Sequence, residues 1–271
     1  MSNLIVRSIA GIIFSVAVTG SALLGPLPLG LLFLAFSIIG LFEYYRMFAQ
    51  GEQNQPRWFL GMGTGVLIYL LVFLHANEVV DANLLWVIGM ILPVMYCAEL
   101  VYRQKTALTN LSVTVFGWVY VVLPFALINE IPVLTGQFEW QLPLGMFLLL
   151  WVNDTGAYFA GKYLGKHKIF PSVSPNKTIE GLIGGLLLSM TLSFILSQYF
   201  TVLVLKDWLV TAVIVAVFGN LGDLFESHLK RSYGIKDSGN IIPGHGGVLD
   251  RFDGLFLTAP FLFFYLKFIL T

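Results

Sequence analysis

Apolar residues in this chain come in long unbroken runs separated by short polar connections. Nine runs stand out, at about 5–24, 27–48, 58–76, 83–101, 111–134, 142–163, 179–203, 207–228 and 249–270. Each approaches the roughly 20 residues that an α-helix needs to cross a bilayer core. Backbone groups in lipid must be satisfied within the spanning segment, and the strict alternation of barrel strands is absent, so the runs predict helices. The expected fold is an all-α, polytopic transmembrane bundle of nine spans, five in residues 1–140 and four in a C-terminal catalytic region, 141–271. Composition agrees: 57% of residues are hydrophobic and 11% charged, against about 25% charged in soluble domains. The apolar start has features of a signal peptide, but its length and the many runs after it favour a first span.

The few charges are sorted by side. With Arg7 placing the N-terminus in the cytoplasm, the inner connections carry Arg46, Arg57, Arg103, Lys105, Lys162, Lys166, Lys168, Lys177, Lys230, Arg231, Lys236 and Arg251. The outer ones carry Glu78, Asp81, Glu130, Glu139 and the pair Lys206–Asp207, so only Lys206 and Lys267 break the positive-inside pattern. Net charge is zero, which gives no reason to expect a nucleic-acid partner. The single cysteine, Cys97, excludes a disulfide framework and reads as a small buried hydrophobe.

Five acids lie in or near the runs: Glu43, Glu99, Asp154, Asp223 and Glu226. Such acids are functional by default. Glu43 reads as an interfacial carboxylate facing Arg46, and Glu99 as an i,i+4 partner of Arg103. Asp154 stands among polar neighbours, Asn153, Thr155 and Tyr158, where function and a structural polar network compete. The pairs Gly61/Gly65, Gly161/Gly165 and Gly181/Gly185 suit close helix approach.

Two inner connections, 165–178 and 229–248, are long and rich in Gly, Lys, Asp and His, and read as functional. The segment 219–253 is the richest. On a helix Asn220, Asp223 and Ser227 share a face with Glu226 beside them, and Lys230 and Arg231 follow. A glycine-rich loop holds Lys236, Asp237 and His245, with Gly244, Gly246 and Gly247 able to bring backbone amides near an anion. Asp250, Arg251 and Asp253 open the next helix. Hard oxygen ligands from Asp223 and Asp250 suit Mg2+ completed by substrate phosphates. The bland alternatives are helix-terminus charges for Asp250 and Asp253, membrane anchors for Lys230 and Arg231, and a loop hydrogen bond for His245. In the other loop Thr178 reads as a helix cap beside Lys177, and Lys162 and Lys166 as anchors.

The pattern Ser227-x2-Lys230-Arg231-x4-Lys236-Asp237-x-Gly239-x3-Pro243-x-His245-Gly246-Gly247-x2-Asp250-Arg251-x-Asp253 resembles the signature of the phosphatidate cytidylyltransferase family. Asp154-x3-Tyr158 and Ser174-Pro-Asn-Lys177-Thr178 resemble further family motifs. The resemblance covers residues 150–255. It implies CTP and phosphatidate as substrates, CDP-diacylglycerol and pyrophosphate as products, Mg2+ with a second cation such as K+, and a homodimer. It implies catalytic roles for Asp223, Asp250, Lys230, Arg231, Lys236 and His245. Substrate contacts would fall to Lys177, Asp154, Ser174, Gly246, Gly247 and Arg251, and metal binding to Asp223, Asp250 and Asp253. Absence of a transit sequence fits a bacterial cytoplasmic (inner) membrane, with the site facing the cytoplasm. The rival readings are a related CTP-dependent enzyme on another lipid, such as an isoprenoid lipid phosphate cytidylyltransferase or a lipid kinase, and a secondary transporter.

Overall fold

A computed structural model describes residues 3–49, 56–102, 106–242 and 246–271. The apolar runs fold as helical rods: α1 (Asn3–Leu24), α2 (Pro26–Phe48), α3 (Trp58–Ala76), α4 (Trp86–Tyr102), α5 (Ala107–Gly117), α6 (Leu123–Glu130), α7 (Gln141–Leu164), α8 (Ile179–Tyr199), α9 (Leu205–Ser232) and α10 (Leu249–Leu270). A π turn, Trp118–Val122, joins α5 to α6 into one rod. It accommodates Pro124, which has no N–H to offer a regular turn.

The chain is an integral membrane protein of the all-α class. Among the described residues seven stretches are long and apolar enough to cross a bilayer: Pro26–Phe48, Trp58–Ala76, Ala82–Glu99, Ala107–Val133, Ile179–Tyr199, Leu205–Ser232 and Leu249–Leu270. Two of the nine expected spans fall short of that measure. Ser8–Leu24 is a shorter apolar helix, and α7 carries Asn153, Asp154, Thr155 and Lys162 within its length.

Side chains tie the connections together at two opposite ends. At one end the Arg57 guanidinium donates to both Glu99 oxygens at 2.6 and 3.0 Å, and the Phe48 and Tyr233 rings lie 4.7 Å apart. At the other, His75 Nδ1 lies 2.7 Å from Glu130 Oε1, and Val202 N donates to Gln141 Oε1 at 3.1 Å. Glu99 thus reaches across to the start of α3. Arg103 and Lys105 lie outside the described residues. Cys97 departs from expectation, because it is exposed on α4 rather than buried in the core.

One aromatic core runs through both halves of the sequence. The Phe252 ring of α10 lies 5.3 Å from Phe14, 5.0 Å from Phe36 and 4.9 Å from Phe125. Gly61 and Gly65 admit Tyr45 and Leu41 of α2, as the small-residue spacing predicts; a Cβ at Gly65 would meet Leu41 Cδ2 at 2.6 Å. The tightest packing is between α7 and α8, where a Cβ on Gly156 would lie 2.9 Å from the Gly184 oxygen and 3.1 Å from Gly185 Cα. That contact brings the C-terminal end of α7 and the N-terminal end of α8 to one edge. The loop between them folds as a two-stranded antiparallel hairpin, β1 (Lys168–Phe170) and β2 (Ser174–Thr178).

Candidate functional site

The hairpin is fixed by the start of α8. Thr178 caps the helix, accepting from Gly181 N at 3.1 Å. Glu180 accepts from Lys166 N at 3.0 Å and pairs with His167 Nδ1 at 2.6 Å. Thus held, β2 points Lys177 at α9. Its Nζ lies 2.7 Å from Asp223 Oδ2 and donates to the Asn220 carbonyl at 3.1 Å. Ser227 Oγ donates to Asp223 Oδ1 at 3.2 Å. The helical face read from sequence is therefore real, and a residue 43 positions away completes it.

One turn along α9, Lys230 is the second cationic centre. Its Nζ lies 3.1 Å from Glu226 Oε1 and 2.6 Å from Asp250 Oδ1. The second Asp250 oxygen is crowded: Oδ2 accepts from Ser238 N at 2.9 Å, Ser238 Oγ at 3.0 Å and Gly247 N at 2.8 Å. The Gly247 amide is thus committed to Asp250. Gly246 turns the chain at φ 80° and accepts from Ile242 N at 3.0 Å. His245 and Gly244 lie outside the described residues.

Asp253 accepts from Gly254 N at 2.7 Å and interacts electrostatically with Asp223, Glu226 and Asp154. This gathering of acids depends on the close crossing of α9 and α10, since a Cβ on Gly222 would run into the Asp253 carbonyl. Asp154 and Arg251, both exposed, line a cavity of about 30 Å3 with Asp253, walled by Phe14, Phe147 and Trp151. Arg231, Lys236 and Asp237 are exposed on the margin, with Arg231 Nη1 donating to the Ile235 carbonyl at 3.0 Å. Ser174 begins β2 opposite Phe170 in the hairpin register, on the strand that carries Lys177.

Two contributors escaped the sequence reading. Glu43 does not face Arg46, which is exposed; it is 2% exposed and turned inward. Its Oε2 accepts from Leu249 N at 3.0 Å and Ser238 Oγ at 3.3 Å. The rule that intramembrane acids are functional pointed to it, and its nearness in sequence to Arg46 pointed the wrong way. Tyr120, in the π turn, is buried, meets Phe225 edge-on at 5.5 Å and senses the charges of Glu226, Asp253 and Asp223.

Among the described residues no three His, Cys, Asp or Glu side chains form a ready-made metal cage. The donor chemistry nonetheless fits a hard cation completed by other ligands. Asp223 is 39% exposed and its two oxygens take one partner each, Lys177 on Oδ2 and Ser227 on Oδ1. Asp250 offers Oδ1, already held by Lys230, and Asp253 offers the oxygen not bonded to Gly254.

Comparison with known proteins adds lineage to this geometry. A family model described as Cytidylyltransferase family matches residues 5–269. A phosphatidate cytidylyltransferase of Staphylococcus haemolyticus is 51% identical over 118 residues, 43% of this chain and 45% of that protein. Proteins of the same name from Staphylococcus epidermidis and Staphylococcus aureus are 50% and 52% identical over stretches of the same length. The aligned stretch spans less than half of each of these relatives.

Proposed function

The chain belongs to the cytidylyltransferase family, and from that premise we propose that it transfers cytidylyl from CTP to phosphatidate, giving CDP-diacylglycerol and pyrophosphate. The observation that carries the reading is the pair of lysine–carboxylate contacts, Lys177–Asp223 and Lys230–Asp250, at one end of the bundle beside a glycine-rich loop. The close relatives named for this reaction support the choice of substrates.

The chemistry suits a site with no activated serine or cysteine. A phosphate monoester carries nearly two negative charges at neutral pH. One of its oxygens attacks the α-phosphorus of CTP, a P–O bond forms there, and the bond to the β-phosphate oxygen breaks to release pyrophosphate. The protein's task is to bring two anions together and to neutralise charge at the α-phosphate. Lys177, Lys230, Arg231, Lys236 and Arg251 supply the cations, and His245, which lies outside the described residues, is a further candidate from the sequence. A bound Mg2+ supplies Lewis acidity to the phosphoryl group, with Asp223 and Asp250 as its ligands, Asp253 close by, and K+ as the second cation. Ser174 and Asp154 flank the substrates.

A nine-span arrangement with the N-terminus in the cytoplasm puts this end where CTP is available, in the bacterial inner membrane, and the family suggests a homodimer. The test is an assay of the purified protein in detergent with radiolabelled CTP, phosphatidate and Mg2+, following lipid-bound cytidine and pyrophosphate together. Both products should appear, require the metal, and vanish in Asp223→Asn and Asp250→Asn. Release of CDP in place of pyrophosphate would instead identify a lipid kinase.

A further inference from the structure

The geometry points to Glu43, on α2 in the N-terminal half of the chain, as a positioning residue that sets Asp250 through Ser238. The inference rests on the cytidylyl-transfer reading of the site. Glu43 is a buried carboxylate at the base of the loop between α9 and α10, and it grips that loop at both ends. Its Oε2 accepts from the Leu249 amide at 3.0 Å, where α10 begins, and from the Ser238 hydroxyl at 3.3 Å, before the glycine-rich turn. The same Ser238 hydroxyl lies 3.0 Å from Asp250 Oδ2, so its single proton is shared between the two carboxylates, and the Ser238 amide donates to Asp250 Oδ2 at 2.9 Å. One side chain therefore spans two carboxylates, one from each half of the sequence.

The fit around Glu43 is close on every side. A Cβ on Gly239 would strike its Oε1, and one on Gly247 would strike its Oε2 and the Ser238 hydroxyl. Two glycines of the loop are thus seated against this one carboxylate, and the second also donates its amide to Asp250. A glutamate spent only on packing would be costly in a membrane protein, where an apolar side chain of similar size fills space without desolvating a charge. Its value lies in holding donors that would otherwise rotate towards water and carry Asp250 with them. Within the described residues Oε1 has no hydrogen-bond partner. A glutamine can therefore turn its amide nitrogen to that side and keep a carbonyl oxygen on Ser238 and Leu249.

The experiment uses the full chain in detergent with Glu43→Ala, Glu43→Gln, Ser238→Ala and the Glu43→Ala/Ser238→Ala pair. Loss of a hydrogen bond to a charged group should raise the Mg2+ concentration for half-maximal transfer by about tenfold in Glu43→Ala. The KM for phosphatidate should stay unchanged, Glu43→Gln should recover most of the loss, and the pair should cost no more than Glu43→Ala alone. Amide hydrogen exchange, read independently of activity, should accelerate at 238–249 in Glu43→Ala and stay unchanged in α3 and α6. An unchanged Mg2+ requirement, or exchange that rises throughout the bundle, would overturn the assignment and make Glu43 an ordinary core acid. If the wild-type protein makes neither product, the cytidylyl-transfer reading fails, and exchange at 238–249 alone decides whether Glu43 clamps the loop.

Discussion

Replacing Lys230 by methionine tests how the site's charges are balanced. The change keeps the length and apolar stem of the side chain and deletes its ammonium group. That group lies 2.6 Å from Asp250 and 3.1 Å from Glu226, whose side chains are 7% and 2% exposed. Removing one partner of a buried ion pair costs about 3–5 kcal/mol, because the other charge is left without compensation. The two acids do not share that cost equally. Asp250 keeps Ser238 and Gly247 as donors, whereas among the described residues Glu226 has no donor besides Lys230. Most of the loss should therefore come from Glu226. For domains of 150–250 residues each kcal/mol is worth about 2–4 °C in Tm, so the drop should be on the order of 10 °C. Tryptophan fluorescence during heating in detergent measures it. Adding Glu226→Gln should restore at least half of the lost stability without restoring activity. A Lys230→Met protein as stable as wild type, or one that Glu226→Gln leaves equally weak, would refute the assignment of Lys230 as the counter-ion of Glu226.

Other substitutions separate chemistry from architecture. Lys177→Ala should lower kcat/KM for CTP by about 10- to 100-fold, since it deletes a charge-assisted contact to Asp223, and steady-state assays with both substrates would register it. Glu99→Ala removes both of the carboxylate contacts that Arg57 makes to it and should lower stability by about 1.5–3 kcal/mol, while activity per folded molecule stays at the wild-type level. Gly222→Ala should push α9 from α10 and abolish activity, whereas Gly63→Ala, which has open space around it, should change stability by no more than about 0.5 kcal/mol; parallel melting and activity measurements compare the two.

What could be read from the sequence follows from how local each cause is. Helix positions depend on hydropathy within about 20 residues, and all the rods fall where the apolar runs lie. The Thr178 cap and the Asn220–Asp223–Ser227 face are set within a few residues and were legible for the same reason. Partners chosen by tertiary packing were not. Glu99 binds the guanidinium of Arg57, 42 positions away. Glu43 binds groups 195 and 206 positions distant, and no local pattern distinguishes a buried acid that faces a loop from one that faces the interface. Cys97 was read inward because its neighbours are apolar, but in a membrane an apolar neighbourhood is equally a lipid-facing one. The polar loop 165–178 was recognised as important, while its folding as a hairpin depends on Glu180 gathering Lys166 and His167.

The π turn at Trp118–Val122 has a bearing on which length changes this protein tolerates. In a regular helix each residue advances the side-chain direction by about 100°. Upstream of the wide turn the rod is registered to α2, where Tyr45 Oη donates to the Thr114 carbonyl at 2.8 Å. Downstream it is registered to other neighbours, with Asn129 Nδ2 donating to Tyr69 Oη at 3.0 Å and Phe125 set 4.9 Å from Phe252. Both registrations hold only while the intervening residue count is kept. A one-residue deletion there would leave hydropathy almost untouched and yet swing an entire half-rod away from its partners. This stretch therefore behaves as a fixed-length spacer inside a hydrophobic segment.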